Sequence, residues 1–170
     1  SAANQVLGGS IGSDTLDASA AGTGSALNGG GGDDILKIRG IERSIDGDNG
    51  RDTLQLEAPL SLNLSSTSIS LAGIEQIDMR ANGATNDVLT VAMRDVLDLT
   101  DAIPLPSQFR NDGTAHQLLV RGDSGDSVDI VTGDWSGSTL VDVGGVNYNM
   151  FTSLSSSGSD QATLLIEQGL

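Results

Sequence analysis

The sequence predicts an all-β domain. Three observations carry that expectation: short runs in which large apolar residues alternate with polar ones, glycine at 23 of 170 residues marking frequent turns, and no run of roughly 18 apolar residues that could form a membrane-spanning helix. In the glycine-rich opening, 1–53, only the stretches at 6–9, 15–19 and 35–41 have strand character. From Thr53 a period of two takes over. Leu54, Leu56, Leu60, Leu62 and Leu64 fall on alternating positions and read as two half-buried strands broken near Pro59. Further strands are expected at 68–73, 74–79, 87–93, 117–122, 127–133, 138–145, 146–151 and 162–168, each bounded by turn residues. The one helical candidate is 93–101, where Val96, Leu97 and Leu99 suit a short turn over the core. The stretch 100–117, with Pro104 and Pro106, reads as a long surface loop. No composition shift splits the chain, and its length suits a single domain, 1–170, with the glycine-rich segment integral to it.

The acidic residues are unevenly chosen. Of 23, 19 are Asp and 4 are Glu, although both carry the same charge. Asp holds its carboxylate close to the backbone and favours turns, so the bias points to acidic loops rather than acidic helix faces. The net charge of −15 argues against nucleic acid or an anionic membrane surface as partner, because both repel such a chain. Divalent cations relieve that repulsion two units at a time. Without cysteine no disulfide can staple the fold, and in an extracellular setting calcium is the natural substitute. The chain opens at Ser1 without Met or a signal peptide, and the expectation is a domain of a longer protein.

Glycine and aspartate recur in a pattern. Residues 29–36 fit the calcium-binding nonapeptide rule, G-G-x-G-x-D-x followed by a large apolar residue, at Gly29, Gly30, Gly32, Asp34 and Leu36. A second copy at 47–54 places Asp52 in the same relation to Leu54, and a looser one at 8–16 does so for Asp14 and Leu16. Asp34 and Asp52 stand 18 residues apart, two nonapeptides, so in a wound coil both would lie on one edge. Glycines let the backbone turn its carbonyls toward a common point, and carboxylates complete an oxygen shell suited to calcium. Asp46, Asp48 and Asn49 precede Asp52 and add three oxygen-bearing side chains, with Gly30, Gly32 and Asp33 around the first copy. Asp14 either binds metal or caps a turn. Asp123 and Asp126, before a strand entered at Ser127, are a second candidate calcium region, the alternative being a solvated acidic turn.

Catalytic arrangements are poorly represented. There is one histidine, His116, with no nucleophile elbow, and the four aromatics Phe109, Trp135, Tyr148 and Phe151 offer little platform for sugars. The reading is a non-enzyme. Trp135, at a turn after Gly133 and Asp134, is the best candidate for an exposed aromatic.

On the nonapeptide and on the ordered segments LAGIEQIDM (71–79), NDVLTVAMRDVLDLTD (86–101), QLLVRGDSGDSVDI (117–130), Trp135 and VNYNMF (146–151), the chain resembles a module of the distal region of bacterial RTX adhesins, surface proteins exported by type I secretion. The most similar module type is their peptide-binding domain. The resemblance implies a calcium-stabilised β-sandwich, located outside the cell, that captures the carboxyl termini of peptides or proteins on a host or neighbouring cell. A bound calcium would accept the ligand carboxylate. It also implies neighbouring adhesin domains as partners and several calcium ions as the cofactor, with no membrane insertion. By motif position the metal ligands carried over are Asp34, the carbonyls around Gly30 and Gly32, and Asp52. Ligand contacts are assigned to Asn28, Gly31, Asp33 and Asp48 in the acidic loops, with Trp135 and Tyr148 as aromatic neighbours. Two alternatives stay open: a calcium-rigidified structural module without ligand, and a calcium-dependent carbohydrate-binding module. The copies are too few for a long β-roll, which favours a sandwich whose calcium-binding loops borrow the repeat chemistry.

Overall fold

The structure is a computed structural model that describes residues 4–83, 86–101, 116–154 and 161–170. The Pro104 and Pro106 stretch and Phe109 lie outside the described residues. Over residues 6–56 strand follows strand with a sharp turn between, and successive strands alternate between two sheets. The first sheet holds β1 (Val6–Gly8), β3 (Ala26–Gly31), β5 (Ser44–Asn49) and β8 (Ser70–Ala72), all parallel. The second holds β2 (Thr15–Asp17), β4 (Ile35–Ile38), β6 (Thr53–Leu56), β9 (Gln76–Asp78), β11 (His116–Arg121) and β15 (Ala162–Glu167), also parallel. It is finished by an antiparallel hairpin, β13 (Thr139–Val143) and β14 (Val146–Thr152), laid on β15. A third sheet takes β7 (Ser61–Asn63), β10 (Val88–Val91) and β12 (Ser127–Ile130), again parallel.

All-β architecture in several sheets agrees with the sequence. The parallel winding does not follow from it: the coil set aside for want of repeats is how the first half of the chain is built. The physical reason is that repetition in space needs only matched side chains at matched heights, not matched sequence. One row across the second sheet runs Leu16, Leu36, Leu54, Ile77, Val120, Ile166, each in register with the next. Leu36, Leu54, Ile77 and Val120 in that row are fully buried. A facing row in the first sheet runs Leu7, Leu27, Ile45, Leu71. The two rows belong to one core, and burying such a side chain stabilises the fold by about 1.5–3 kcal/mol. Only three of the first sheet's four turns fit the nonapeptide spacing even loosely, yet the apolar rows continue past them.

The helix α1 (Met93–Leu99) forms where the sequence placed it and buries Val96 and Leu99. It packs against β8, β11 and β15, covering the core beyond the last strand of the first sheet. Asp95 Oδ2 accepts the Ala92 N–H at 2.7 Å and holds its first turn. At its end Thr100 Oγ1 donates to Val96 O at 2.7 Å, and His116 Nδ1 lies 2.5 Å from Thr100 O. His116 is therefore a strap between helix and sheet.

Candidate metal site along the glycine and aspartate edge

Each strand of the second sheet up to β9 is entered through an acidic residue: Asp14 before β2, Asp34 before β4, Asp52 before β6 and Glu75 before β9. Because the strands are parallel and in register, these four stack into a column. Each carboxylate after Asp14 reaches one coil back and accepts a backbone N–H from its predecessor. Asp14 N–H donates to Asp34 Oδ1 at 2.7 Å, Asp34 N–H to Asp52 Oδ1 at 2.7 Å, and Asp52 N–H to Glu75 Oε2 at 2.9 Å. The column ends where Glu75 Oε1 accepts the Asp101 N–H at 2.9 Å. The carboxylates thus satisfy N–H groups that the turns leave without a strand partner.

One oxygen of each of the two middle carboxylates is left over. Asp34 and Asp52 are 1% and 0% exposed, and the Oδ2 of each is buried with no hydrogen-bond partner. Burial first, then the neighbouring charges of Glu75, Asp34 and Asp33, pushes the Asp52 carboxyl up to about 7 against the one opposing hydrogen bond from Asp34. Burial likewise raises Glu75, with Asp101 adding to it. Asp14 behaves differently at the exposed end of the column. Its Oδ2 takes the Ser10 hydroxyl and N–H at 2.8 and 2.6 Å, and those bonds lower its pKa.

The turns bring backbone oxygens close to the leftover carboxylate atoms. A side chain at Gly29 would collide with Asp34 Oδ2 and come within 2.6 Å of Gly47 O, and one at Gly47 would collide with Gly73 O and Asp52 Oδ2. Gly30 and Gly32 have φ of 98° and 103°, a left-handed conformation that L side chains rarely adopt. Gly31 N–H donates to Ser10 O and Gly32 N–H to Asn49 O, both at 2.8 Å, so successive turns are tied to each other.

The other predicted residues of this edge are brought together on its solvent side. Asn28, Gly30 and Gly31 pair in register with Asp46, Asp48 and Asn49. Asp33, Asp46, Asp48 and Asn49 are exposed, and each has a local partner: Asp33 Oδ1 accepts Arg51 N–H at 2.9 Å, Asp46 Oδ1 accepts Asp48 N–H at 3.1 Å, and Asn49 Nδ2 donates to Asp48 Oδ1 at 2.6 Å. Among the described residues no three His, Cys, Asp or Glu side chains converge on one point. An ion on this edge would have to draw the rest of its shell from main-chain carbonyls and water, which a hard cation such as calcium accepts.

Asp123 and Asp126 do not join this edge; they belong to a second column on the third sheet. Asp126 Oδ1 accepts the Asp87 N–H at 3.0 Å and its Oδ2 the Asp123 N–H at 2.7 Å. Asp87 Oδ1 accepts the Leu60 N–H at 2.6 Å and its Oδ2 the Asn82 amide at 2.7 Å. Every carboxylate oxygen of Asp87 and Asp126 is used. The expectation for the aromatics needs correcting. Tyr148 is fully buried, its hydroxyl accepting from Arg121 Nε at 3.0 Å, so it is a core residue rather than a ligand contact. Trp135 stands at a turn as read, but it is half-buried against the core with Nε1 enclosed, not displayed.

Sequence reasoning passed over Glu75, Asp87 and Asp101. For the first two a signal existed: an acid, one residue, then a large aliphatic. Asp14–Leu16, Asp34–Leu36, Asp52–Leu54, Glu75–Ile77, Asp87–Leu89 and Asp126–Val128 all obey it. Reading it only beside glycine hid the later copies. Among protein-family models, curated proteins and solved structures, no match to this chain is found.

Proposed function

We propose that this chain is a calcium-stabilised, non-enzymatic module of an extracellular bacterial adhesin. The single observation that carries the reading is the pair of buried, unpartnered oxygens, Asp34 Oδ2 and Asp52 Oδ2, in the carboxylate column. Calcium bound to this edge would offset the burial and the neighbouring charges that raise the Asp52 carboxyl, and would lock adjacent turns together. Asp34, Asp52 and the carbonyls of the glycine turns are the proposed ligands, and Asp14 closes the column. Asp87 and Asp126, with all their oxygens engaged, are proposed as a metal-free copy of the same turn chemistry.

Capture of peptide or protein carboxyl termini on another cell is the second reading, and one observation favours it. Asp33, Asp46 and Asp48 line the solvent side of the same edge, so an ion there would keep positions open toward a partner's carboxylate. A chain of net charge −15 needs such an ion to hold an anionic group.

Thermal melting in calcium and in chelator tests the first reading. Each ion that binds only the folded state adds about 2.7 kcal/mol at 100-fold excess over its Kd, so several ions should raise the melting temperature by tens of degrees. Coincident melting curves would sink it. For the second, peptides with free and amidated carboxyl ends are compared in calcium, and equal binding would remove carboxylate capture.

A further inference from the structure

Three asparagines of the chain are followed directly by glycine: Asn28–Gly29, Asn49–Gly50 and Asn82–Gly83. Such pairs are chemically reactive. The main-chain nitrogen after an asparagine can attack the side-chain amide carbon, and glycine, with no Cβ, leaves that nitrogen unshielded. In a folded chain the attack needs the peptide to rotate, so the three pairs separate by how firmly each is held.

Asn28 is half-buried inside β3, in register with Gly8 on one side and Asp46 on the other, and its carbonyl takes the Gly9 N–H at 2.8 Å. Rotation there would part β3 from both neighbours. Asn82 is pinned at both reacting ends: its Nδ2 donates to Asp87 Oδ2 at 2.7 Å, and the Gly83 N–H donates to Arg80 O at 3.2 Å. Asn49 differs on every count. It is exposed at the last position of β5, and β8 pairs with β5 only as far as Asp46, so among the described residues no strand lies along that side of Asn49. Among the described residues the Gly50 N–H donates no hydrogen bond. The Asn49 amide is held by the exposed Asp48, whose Oδ1 accepts from Nδ2 at 2.6 Å. Asp48 and Gly50, on either side, have φ of 66° and 146°, so the chain is already turning at this point. The bond from Gly32 N–H to Asn49 O, at 2.8 Å, is what resists rotation.

We propose that Asn49 is a site of spontaneous modification, at which the side-chain amide is converted to a carboxylate on the solvent side of the glycine and aspartate edge. The Gly50 nitrogen bonds to Asn49 Cγ, the Cγ–Nδ2 bond breaks, and Nδ2 leaves as ammonia with the proton that the Gly50 nitrogen gives up. Water then opens the five-membered imide. Opening at Cγ leaves aspartate; opening at the main-chain carbon leaves isoaspartate, in which the chain runs through Cγ and is longer by one methylene. Either product sets a new negative charge beside Asp48 and removes the donor that Asp48 holds. Isoaspartate also displaces Arg51, whose N–H reaches Asp33 Oδ1 at 2.9 Å, and so loosens the tie between adjacent turns. The chemistry needs no bound ion, so the proposal stands or falls separately from calcium binding.

Folded protein is aged in chelator at mildly alkaline pH, well below its melting transition, and then digested with trypsin. Cleavage after Arg43 and Arg51 releases residues 44–51, in which Asn49 is the only asparagine. That peptide should gain the mass difference between an amide and a carboxyl group, and isoaspartyl methyltransferase should label it. Conversion at Asn49 should run roughly tenfold or more faster than at Asn28 or Asn82, because the end of a strand opens more cheaply than its middle or a pinned turn. In denaturant the three rates should draw together. Asn49→Gln, whose longer side chain disfavours the ring, should hold the mass of residues 44–51 constant, and Asn49→Asp should reproduce the added charge in unaged protein. Conversion at Asn28 or Asn82 as fast as at Asn49 in the folded protein, or an undiminished lead of Asn49 in denaturant, would overturn the proposal.

Discussion

Asp52 shows how one side chain can be a fold element and a liability together. One oxygen secures the Asp34 N–H; the other is buried without a donor. Its folded pKa of about 7 lies above its ordinary value of 3.8, so between these the folded chain holds a proton that the unfolded chain releases. Its contribution to stability is fully present below about pH 4 and is lost as pH rises through about 7. Glu75 and Asp87, also raised, act in the same direction. Asp14, Asp17 and Asp78, held below their ordinary values, matter only at lower pH. Metal-free protein should therefore melt at a lower temperature at pH 8 than at pH 5, the reverse of ordinary acid denaturation. Asp52→Asn should flatten that dependence and reduce the stabilisation by calcium; an unchanged pH profile would count against the column as the seat of either effect. Asp126→Ala, which removes the acceptor of the buried Asp87 N–H and of the part-buried Asp123 N–H, should cost about 2–4 kcal/mol whether or not calcium is present.

At the scale of elements, the apolar rows hold the coils in register. Leu54 sits at 0% exposure between Leu36 and Ile77, in the middle of its row. Leu54→Ala should destabilise by about 2–5 kcal/mol in denaturant titration, because the flanking coils cannot close the hole without losing strand register. Much of this was legible. The Leu54 and Leu56 alternation gives β6, and the Val96 and Leu99 spacing gives α1. Acid-x-aliphatic marks the entry to six strands. Parallel pairing was not legible, because the alternation of inward and outward residues is the same whichever strand lies alongside. Tyr148 illustrates the same limit: Tyr148 and Asn147 are both plausible surface residues in sequence, and only the approach of Arg121 from β11 makes burial of the tyrosine hydroxyl possible.

For the whole molecule, the two ends of the coil differ in what secures them. The first half relies on glycine turns closed by the acidic column; the second has the hairpin and α1 over a continuous core. Hydrogen exchange in chelator should be fastest in β1 to β6 and slowest in β11, β14 and β15, and calcium should protect the first group selectively. Uniform protection would show that the edge does not govern local opening. By itself, the sequence determined the strand-rich character, the short helix, the turn positions and the identity of Asp14, Asp34 and Asp52 as a set, since period, turn chemistry and spacing are local properties. Only the tertiary structure decided that strands run parallel and that Glu75 continues the column. It alone left Oδ2 of Asp34 and Asp52 without donors while Asp87 and Asp126 found theirs. Which oxygen meets which N–H depends on the height at which one coil settles on the next, and that height is set by the packing of the apolar rows, not by any single turn.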